Sequence, residues 1–166
     1  MKQTFLELAN YQKWANDRFR KNLKEVDFTK LTENATPYGP IRELVAHIFG
    51  AVELWMKRLE GTSPPAIKSG DSFQSWSELE KAWIDIDNKL IEVVNNLKEE
   101  EFSKRIKYRS TEGLDLETSM ENILVQLVTH HQSYHRGQIG MAIRQLNLPP
   151  VQETDFIYYV YDQKKN

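Results

Sequence analysis

Apolar residues recur at steps of three and four along four long stretches of this chain of 166 residues. That spacing puts them on one face of an α-helix, and a helix with one apolar face buries that face against a neighbour. The stretches cover residues 4–23, 40–59, 75–97 and 119–146. Four such helices predict an all-α fold, a four-helix bundle, and the length favours a single domain over residues 1–166.

A change of period marks a short insertion before the last long helix. Residues 105–109 and 114–117 alternate between polar and apolar side chains, and Gly113 between them is a turn signal. These features predict a short β-hairpin. The tail at residues 155–161 is rich in aromatic side chains, so we expect it to pack back on the bundle rather than extend into solvent.

Two histidines occupy positions in the fourth apolar stripe where leucine would be expected. His131 and His135 are four residues apart, so their Cβ atoms lie about 5–6 Å apart on one helix face. Burying an imidazole without a partner costs roughly 1–3 kcal/mol, so each ring should have something to bind. That partner is a metal ion or, equally compatible with the spacing, a hydrogen-bonding group in the core. An H-x-x-x-H pair by itself does not separate these interpretations.

A metal ion held by these two rings would need a ligand from another helix. The chain has four histidines; His130 is rotated by about 100° from His131 and should not share its ion, which leaves His47 beside the stripe of the second helix. Three neutral imidazoles with one open position form a known catalytic zinc arrangement, although imidazole also suits nickel, copper and iron. The open position could activate water or hold a thiol as thiolate.

The composition narrows the classes of function. Cysteine is absent, which excludes disulfides, Fe–S clusters and thiolate zinc sites, so any reacting thiol must come from a co-substrate. The 22 Lys and Arg residues nearly balance 24 Asp and Glu residues, and no basic run is present, so nucleic acid is not an expected partner. No apolar run matches a membrane span or a signal peptide, and we therefore expect a cytoplasmic location without membrane attachment.

Other polar residues are weaker candidates. Glu53 and Asp155 could act as acid or base, but nothing in the sequence distinguishes them from ordinary surface carboxylates, so we assign no catalytic residue. Arg136 and Asn16 are candidates for positioning the ligands, and His130 for a place beside the site or on the surface.

The histidine segment also resembles a known family signature. Residues 131–138, which read H-Q-S-Y-H-R-G-Q, resemble the H-x-x-x-H-R-G-Q signature of the DinB/YfiT-like superfamily. Three further segments are similar to family segments in the same order: residues 11–16 to Y-x-x-W-A-N, the segment around His47 to the second-helix histidine segment, and residues 149–157 to the C-terminal P-x-x-D segment. The resemblance thus spans nearly the whole chain.

What the resemblance implies is more specific than the spacing. It implies an up-down-down-up four-helix bundle with a nickel or zinc site whose ligands are His47, His131 and His135, and often a homodimer. Characterised relatives include S-transferases that use low-molecular-weight thiols, and many members have no assigned reaction. Three hypotheses follow: a metal-dependent enzyme that activates such a thiol for transfer to an electrophile, a hydrolase that uses metal-bound hydroxide, and a non-catalytic stress-related protein that binds metal or a small ligand.

Overall fold

The structure is a computed structural model, and it describes residues 1–164. Four long helical stretches form a bundle, as predicted, and short strands and helices connect them. The helices are α1 (Lys2–Lys24), α2 (Phe28–Leu31), α3 (Ile41–Leu59), α4 (Trp76–Asn96), α5 (Met120–Val125), α6 (Gln132–Gln145) and α7 (Phe156–Gln163), and the strands are β1 (Asn34–Thr36), β2 (Gly39–Pro40), β3 (Arg105–Arg109) and β4 (Asp115–Ser119). Among the described residues, no helix is long and apolar enough to cross a membrane.

Local sequence signals explain where the long helices begin and end. The Ser75 side chain caps α4 by accepting a hydrogen bond from the backbone N–H of Glu78, and Ser119 caps α5 in the same way through Asn122. Pro40 precedes α3, where its missing N–H leaves no helical hydrogen bond unmade. Gly61 follows α3 with a positive φ of 87°, a conformation that glycine adopts without strain.

The core consists of two apolar clusters at opposite ends of the bundle. The first cluster joins the C-terminal halves of α1 and α6 to the N-terminal halves of α3 and α4, and its members include Leu23, Ile143, Leu44 and Leu79. The second cluster joins the N-terminal half of α1, α5 and the residues just after α5 to the C-terminal halves of α3 and α4, and it includes Ala9, Leu124, Val52 and Leu90. Because α1 and the fourth helix share one direction and α3 and α4 share the other, the topology is up-down-down-up, as the resemblance implied.

The hairpin and the tail also follow the predictions. Strands β3 and β4 pair antiparallel from Arg105 opposite Ser119 to Arg109 opposite Asp115. The tail forms α7, which packs on α1 with Tyr159 only 7% exposed between Tyr11 and Trp14. The small β1–β2 hairpin in the first connection was not predicted from the sequence.

The fourth long helix departs from the prediction of one continuous α-helix. Residues Gln126–His131 form a π-helical turn between α5 and α6. The buried residues Met120, Leu124, Val128, Gln132 and Arg136 are each four positions apart. Each such step overshoots one α-helical turn by about 40°, so four steps drift by about 160° and would leave the core. A π-turn absorbs roughly one extra residue and removes about 100° of that drift.

Candidate metal centre

The structure brings together the three histidines that the sequence singled out. His47 comes from the middle of α3, His131 is the last residue of the π-turn, and His135 lies one turn later in α6. One ring nitrogen of each lies within 4.8 Å of the others. Ring centroids are separated by 5.2 Å for His47 and His131, 4.4 Å for His47 and His135, and 4.5 Å for the pair on the fourth helix.

The distance between two of these ring nitrogens matches the distance expected between two ligands of one metal ion. The Nε2 atoms of His47 and His131 are 3.4 Å apart. Two nitrogens bound tetrahedrally to zinc at about 2.0–2.1 Å lie about 3.3–3.4 Å from each other. An N–H···N hydrogen bond is normally shorter, with about 3 Å between the two nitrogens. The residues present therefore fit a shared cation.

Hydrogen bonding leaves a free lone pair on His135. Its Nδ1 lies 2.6 Å from the side-chain oxygen Oε1 of Gln138, which is buried one turn further along α6. Because that oxygen only accepts, the ring nitrogen must donate, and Nε2 is left unprotonated on the neutral ring. An outer hydrogen bond of this kind orients histidine ligands in metal sites.

Burial keeps all three rings neutral. The pKa of His131 is lowered to about 3, mainly by burial and additionally by the neighbouring His135 and His47. Burial is also the main cause of the lowered pKa of His47, with a contribution from His135, and of the lowered pKa of His135, where the hydrogen bond to Gln138 acts in the opposite direction. Neutral imidazole is the form that binds a metal ion, so the site is prepared to do so at neutral pH.

The metal-free protein should lose stability as the pH falls. The histidine pKa values lie below the ordinary value of 6.5 in the folded chain, so the unfolded state binds more protons below that pH. The free energy of unfolding should therefore fall as the pH drops below about 6.5, and for His131 the fall should continue to about pH 3, by up to about 1.4 kcal/mol per pH unit. Urea denaturation in the presence of a chelator from pH 7.5 to 5 measures the slope. A His131→Leu variant with the same slope would contradict the prediction.

Other candidate residues lie outside the group. His130 is exposed, and its Nδ1 contacts the hydroxyl of Thr129 at 2.5 Å. Glu53 forms a surface ion pair with Lys57 at 2.9 Å. Asp155 precedes α7, far along the chain from the three rings. The structure gives neither carboxylate a contact with the histidines.

A cavity of about 310 Å³ borders two of the three grouped histidines, His131 and His135. The fourth helix supplies its lining, which consists of Gln126, His130, His131, Tyr134 and His135. Tyr134 is 61% exposed and packs edge-on against His135 at a ring separation of 5.0 Å. A small molecule in the cavity would therefore lie against the rings of His131 and His135 on the solvent side of the fourth helix.

A layer of buried polar side chains separates the two apolar clusters beside the histidine group. Its members come from α1, α4 and α6 and are Gln12, Asn16, Arg20, Asp87, Gln132 and Arg136. Asn16 donates to Asp87 at 3.0 Å and to Gln132 at 2.7 Å, and its own oxygen accepts from Arg136 at 2.9 Å. Asp87 also pairs with Arg20 at 2.7 Å. Burial raises the pKa of Asp87, and Arg20 and Asn16 oppose that rise.

Sequence analysis identified only part of this layer. It proposed Asn16 and Arg136 as positioning residues, and both lie in the layer, although neither contacts the three rings directly. The buried Asp87 was missed. The signal was present, since Asp87 lies four residues after Trp83 and three before Leu90, on the buried face of α4. Gln132 was missed because its neighbour His131 was assigned to the buried face of the helix instead.

Comparisons with known proteins agree with this architecture. YfiT from Bacillus subtilis, described as a probable metal-dependent hydrolase with an unusual four-helix bundle topology, superposes with a TM-score of 0.65 over 89% of each chain at 13% sequence identity. At that identity the likeness establishes the fold alone. A search of curated proteins found no match. The model of the DinB family matches residues 1–164, which is nearly the entire sequence. This chain therefore belongs to the DinB family.

Proposed function

We propose that the protein binds one divalent metal ion through Nε2 of His47, His131 and His135 and uses it to activate a low-molecular-weight thiol for S-transfer to an electrophile. The observation that carries the proposal is the convergence of three neutral imidazoles from two helices, with a nitrogen separation of 3.4 Å. Zinc and nickel are the expected metals, because both accept imidazole ligands.

The side chains around the site provide orientation and access. Gln138 holds His135 in the tautomer that leaves Nε2 free. Burial of the rings excludes the protonated forms that would repel a cation. A bound divalent metal is a Lewis acid that lowers the pKa of a thiol or a water molecule at its open position. Tyr134 and His130 flank the route by which that molecule enters.

The ease of ionisation favours a thiol over water as the nucleophile. Within the described residues, no carboxylate contributes to the cavity lining, and His130 is its one side chain outside the ligand group that could remove a proton from water. A thiol has a pKa of about 8.5, compared with about 15.7 for water, and needs far less assistance to ionise. In the transfer, the sulfur forms a bond to carbon, the leaving group departs with its electron pair, and the thiol proton passes to solvent.

Hydrolysis is the second candidate, because the fold resembles that of YfiT, which is described as a probable metal-dependent hydrolase. In this alternative, water takes the place of the thiol as the nucleophile on esters, amides or lactones. The two activities differ in one testable respect: hydrolysis does not require an added thiol.

Metal analysis followed by paired activity assays tests the proposal. Protein loaded with zinc or nickel is incubated with a thiol and a chlorinated nitroarene, and separately with ester, amide and lactone substrates without thiol. S-transfer predicts turnover in the first panel that is lost in the His135→Ala variant. Turnover in the second panel alone would replace the proposal with hydrolysis, and metal binding without turnover in either would leave a binding protein.

A His130→Ala variant is the matched control for metal binding. His130 is adjacent to His131 in sequence but does not belong to the converging group. The His130→Ala variant should bind one equivalent of metal, whereas the His131→Ala and His135→Ala variants should bind metal with much lower affinity. Equal metal loss in all variants would contradict the assigned ligands. The homodimer and the cytoplasmic location stay predictions.

A further inference from the structure

The π-turn that ends at His131 is stabilised by two buried side-chain amides. Gln12 on α1 donates from Nε2 to the carbonyl oxygen of Val128 at 2.6 Å. Gln132 donates from Nε2 to the carbonyl oxygen of Leu127 at 3.1 Å. Both glutamines are fully buried, and both acceptors lie inside the π-turn. Side chains that insert into the hydrogen-bond ladder of a helix stabilise such local departures from α-helical geometry.

Neighbouring polar groups fix which way each amide points. The side-chain oxygen of Gln12 accepts from Arg136 at 2.6 Å, so its amide nitrogen must face Val128. The side-chain oxygen of Gln132 accepts from Asn16 at 2.7 Å, so its amide nitrogen must face Leu127. The donors at the π-turn are therefore held in place by the buried polar layer, and that layer is anchored on α1 and α4.

The π-turn determines the direction of His131. An α-helical turn in its place would rotate α5 relative to α6 by about 100°. Either α5 would then lose its place in the second cluster, or His131 would turn away from His47. The π-turn avoids both losses. Leu124 stays buried in the core, and His131 Nε2 lies 3.4 Å from His47 Nε2.

We propose that Gln12 and Gln132 are positioning residues of the metal centre, and that they act by holding the π-turn that aims His131 at His47 and His135. This inference rests on the proposed metal binding. Neither glutamine touches the three rings, so their effect passes through the backbone of the turn rather than through a direct bond to a ligand.

Gln12→Glu is the sharpest test, because it should keep the fold and remove the donor. The buried Arg136 guanidinium donates to the neutral side chains of Gln12, Asn16 and Ser133, and it also interacts with Tyr11 and, electrostatically, with Asp87. A carboxylate at position 12 would keep the contact with Arg136 and add a counter-charge. It would place an acceptor oxygen instead of an N–H donor against the carbonyl of Val128. Gln132→Met provides the second variant, with similar length and no donor.

The measurements use Co²⁺ as the probe. Its affinity and its visible absorption bands report the number and arrangement of ligands, and hydrogen exchange of residues 126–132 in the metal-free protein reports the turn itself. We expect Gln12→Glu and Gln132→Met to bind Co²⁺ about tenfold or more weakly, with altered bands and faster exchange. Leu79→Ala, buried in the first cluster and remote from the turn, should lower the melting temperature without changing affinity or bands.

Two outcomes would overturn the inference while the metal site stands. In the first, both glutamine variants match the wild type in Co²⁺ affinity and absorption bands. In the second, Leu79→Ala weakens binding as much as they do, which would indicate a general loss of rigidity. If the wild-type protein itself binds no Co²⁺, the proposed function fails, and this inference fails with it.

Discussion

Replacing His131 with leucine is expected to abolish the stabilisation of the protein by metal while leaving the metal-free protein at least as stable as the wild type. The Nδ1 atom of His131 is buried without a hydrogen-bond partner. Leaving such a group unpaired costs about 1–3 kcal/mol, and a leucine of similar size has no polar atom to satisfy. The ring is therefore retained at a cost in stability, as expected for a residue kept for binding.

The size of the metal effect follows from linkage. A metal present at about 100 times its dissociation constant stabilises the folded state by about 2.7 kcal/mol, which for a chain of this length raises the melting temperature by about 5–10 °C. Thermal denaturation with a chelator measures the stability of the metal-free protein, and repeating it with added zinc or nickel measures the rise in melting temperature caused by the metal. His130→Leu serves as the control and should keep the full shift. A His131→Leu variant that still shifts by several degrees would contradict the assignment.

Replacing Asp87 with alanine is expected to cause the largest loss of stability. Asp87 is 3% exposed and accepts from both Arg20 and Asn16. Without it, the buried Arg20 keeps only Asp17 as its charged partner, and that carboxylate is 40% exposed. Removing one partner of a buried ion pair costs about 3–5 kcal/mol, because the other charge stays buried. The melting temperature should fall by about 6–20 °C.

Asp85→Ala is the matched control for this change. Asp85 lies two residues earlier on α4 and pairs with Lys81 at the surface, with a side chain that is 60% exposed. Exposed pairs of this kind contribute about 0–1 kcal/mol, so the control should unfold close to the wild type. Equal losses in the two variants, measured by chemical denaturation, would show that the buried layer does not stabilise the fold as described.

Local features of the sequence were sufficient to predict α1, α3 and α4. The three- and four-residue spacing in α4, from Leu79 through Trp83 to Leu90, marks a helix whose buried face needs no tertiary information to recognise. Ser75 marks its start by the same local chemistry. The alternation of residues 105–109 similarly predicted β3 within the hairpin.

The histidine group of the proposed metal centre could be predicted only in part. His131 and His135 share a helix, so their spacing alone places them side by side. His47 followed by elimination among four histidines rather than from any signal of distance. That its ring comes to 3.4 Å from His131 depends on how α3 packs against the fourth helix, which no local pattern specifies.

Periodicity and the absence of cysteine therefore determined, by themselves, a helical bundle in which any metal must be held by nitrogen and oxygen ligands. The tertiary structure decided the rest. Gln12 reaches Val128 across 116 positions of sequence, and Asn16 reaches Gln132 across the same separation. Such contacts form only when α1 packs beside the fourth helix. They accompany the π-turn, which the spacing of the apolar residues does not reveal. The direction of His131 is a property of that packing, because the energy that favours it comes from residues distant in the chain.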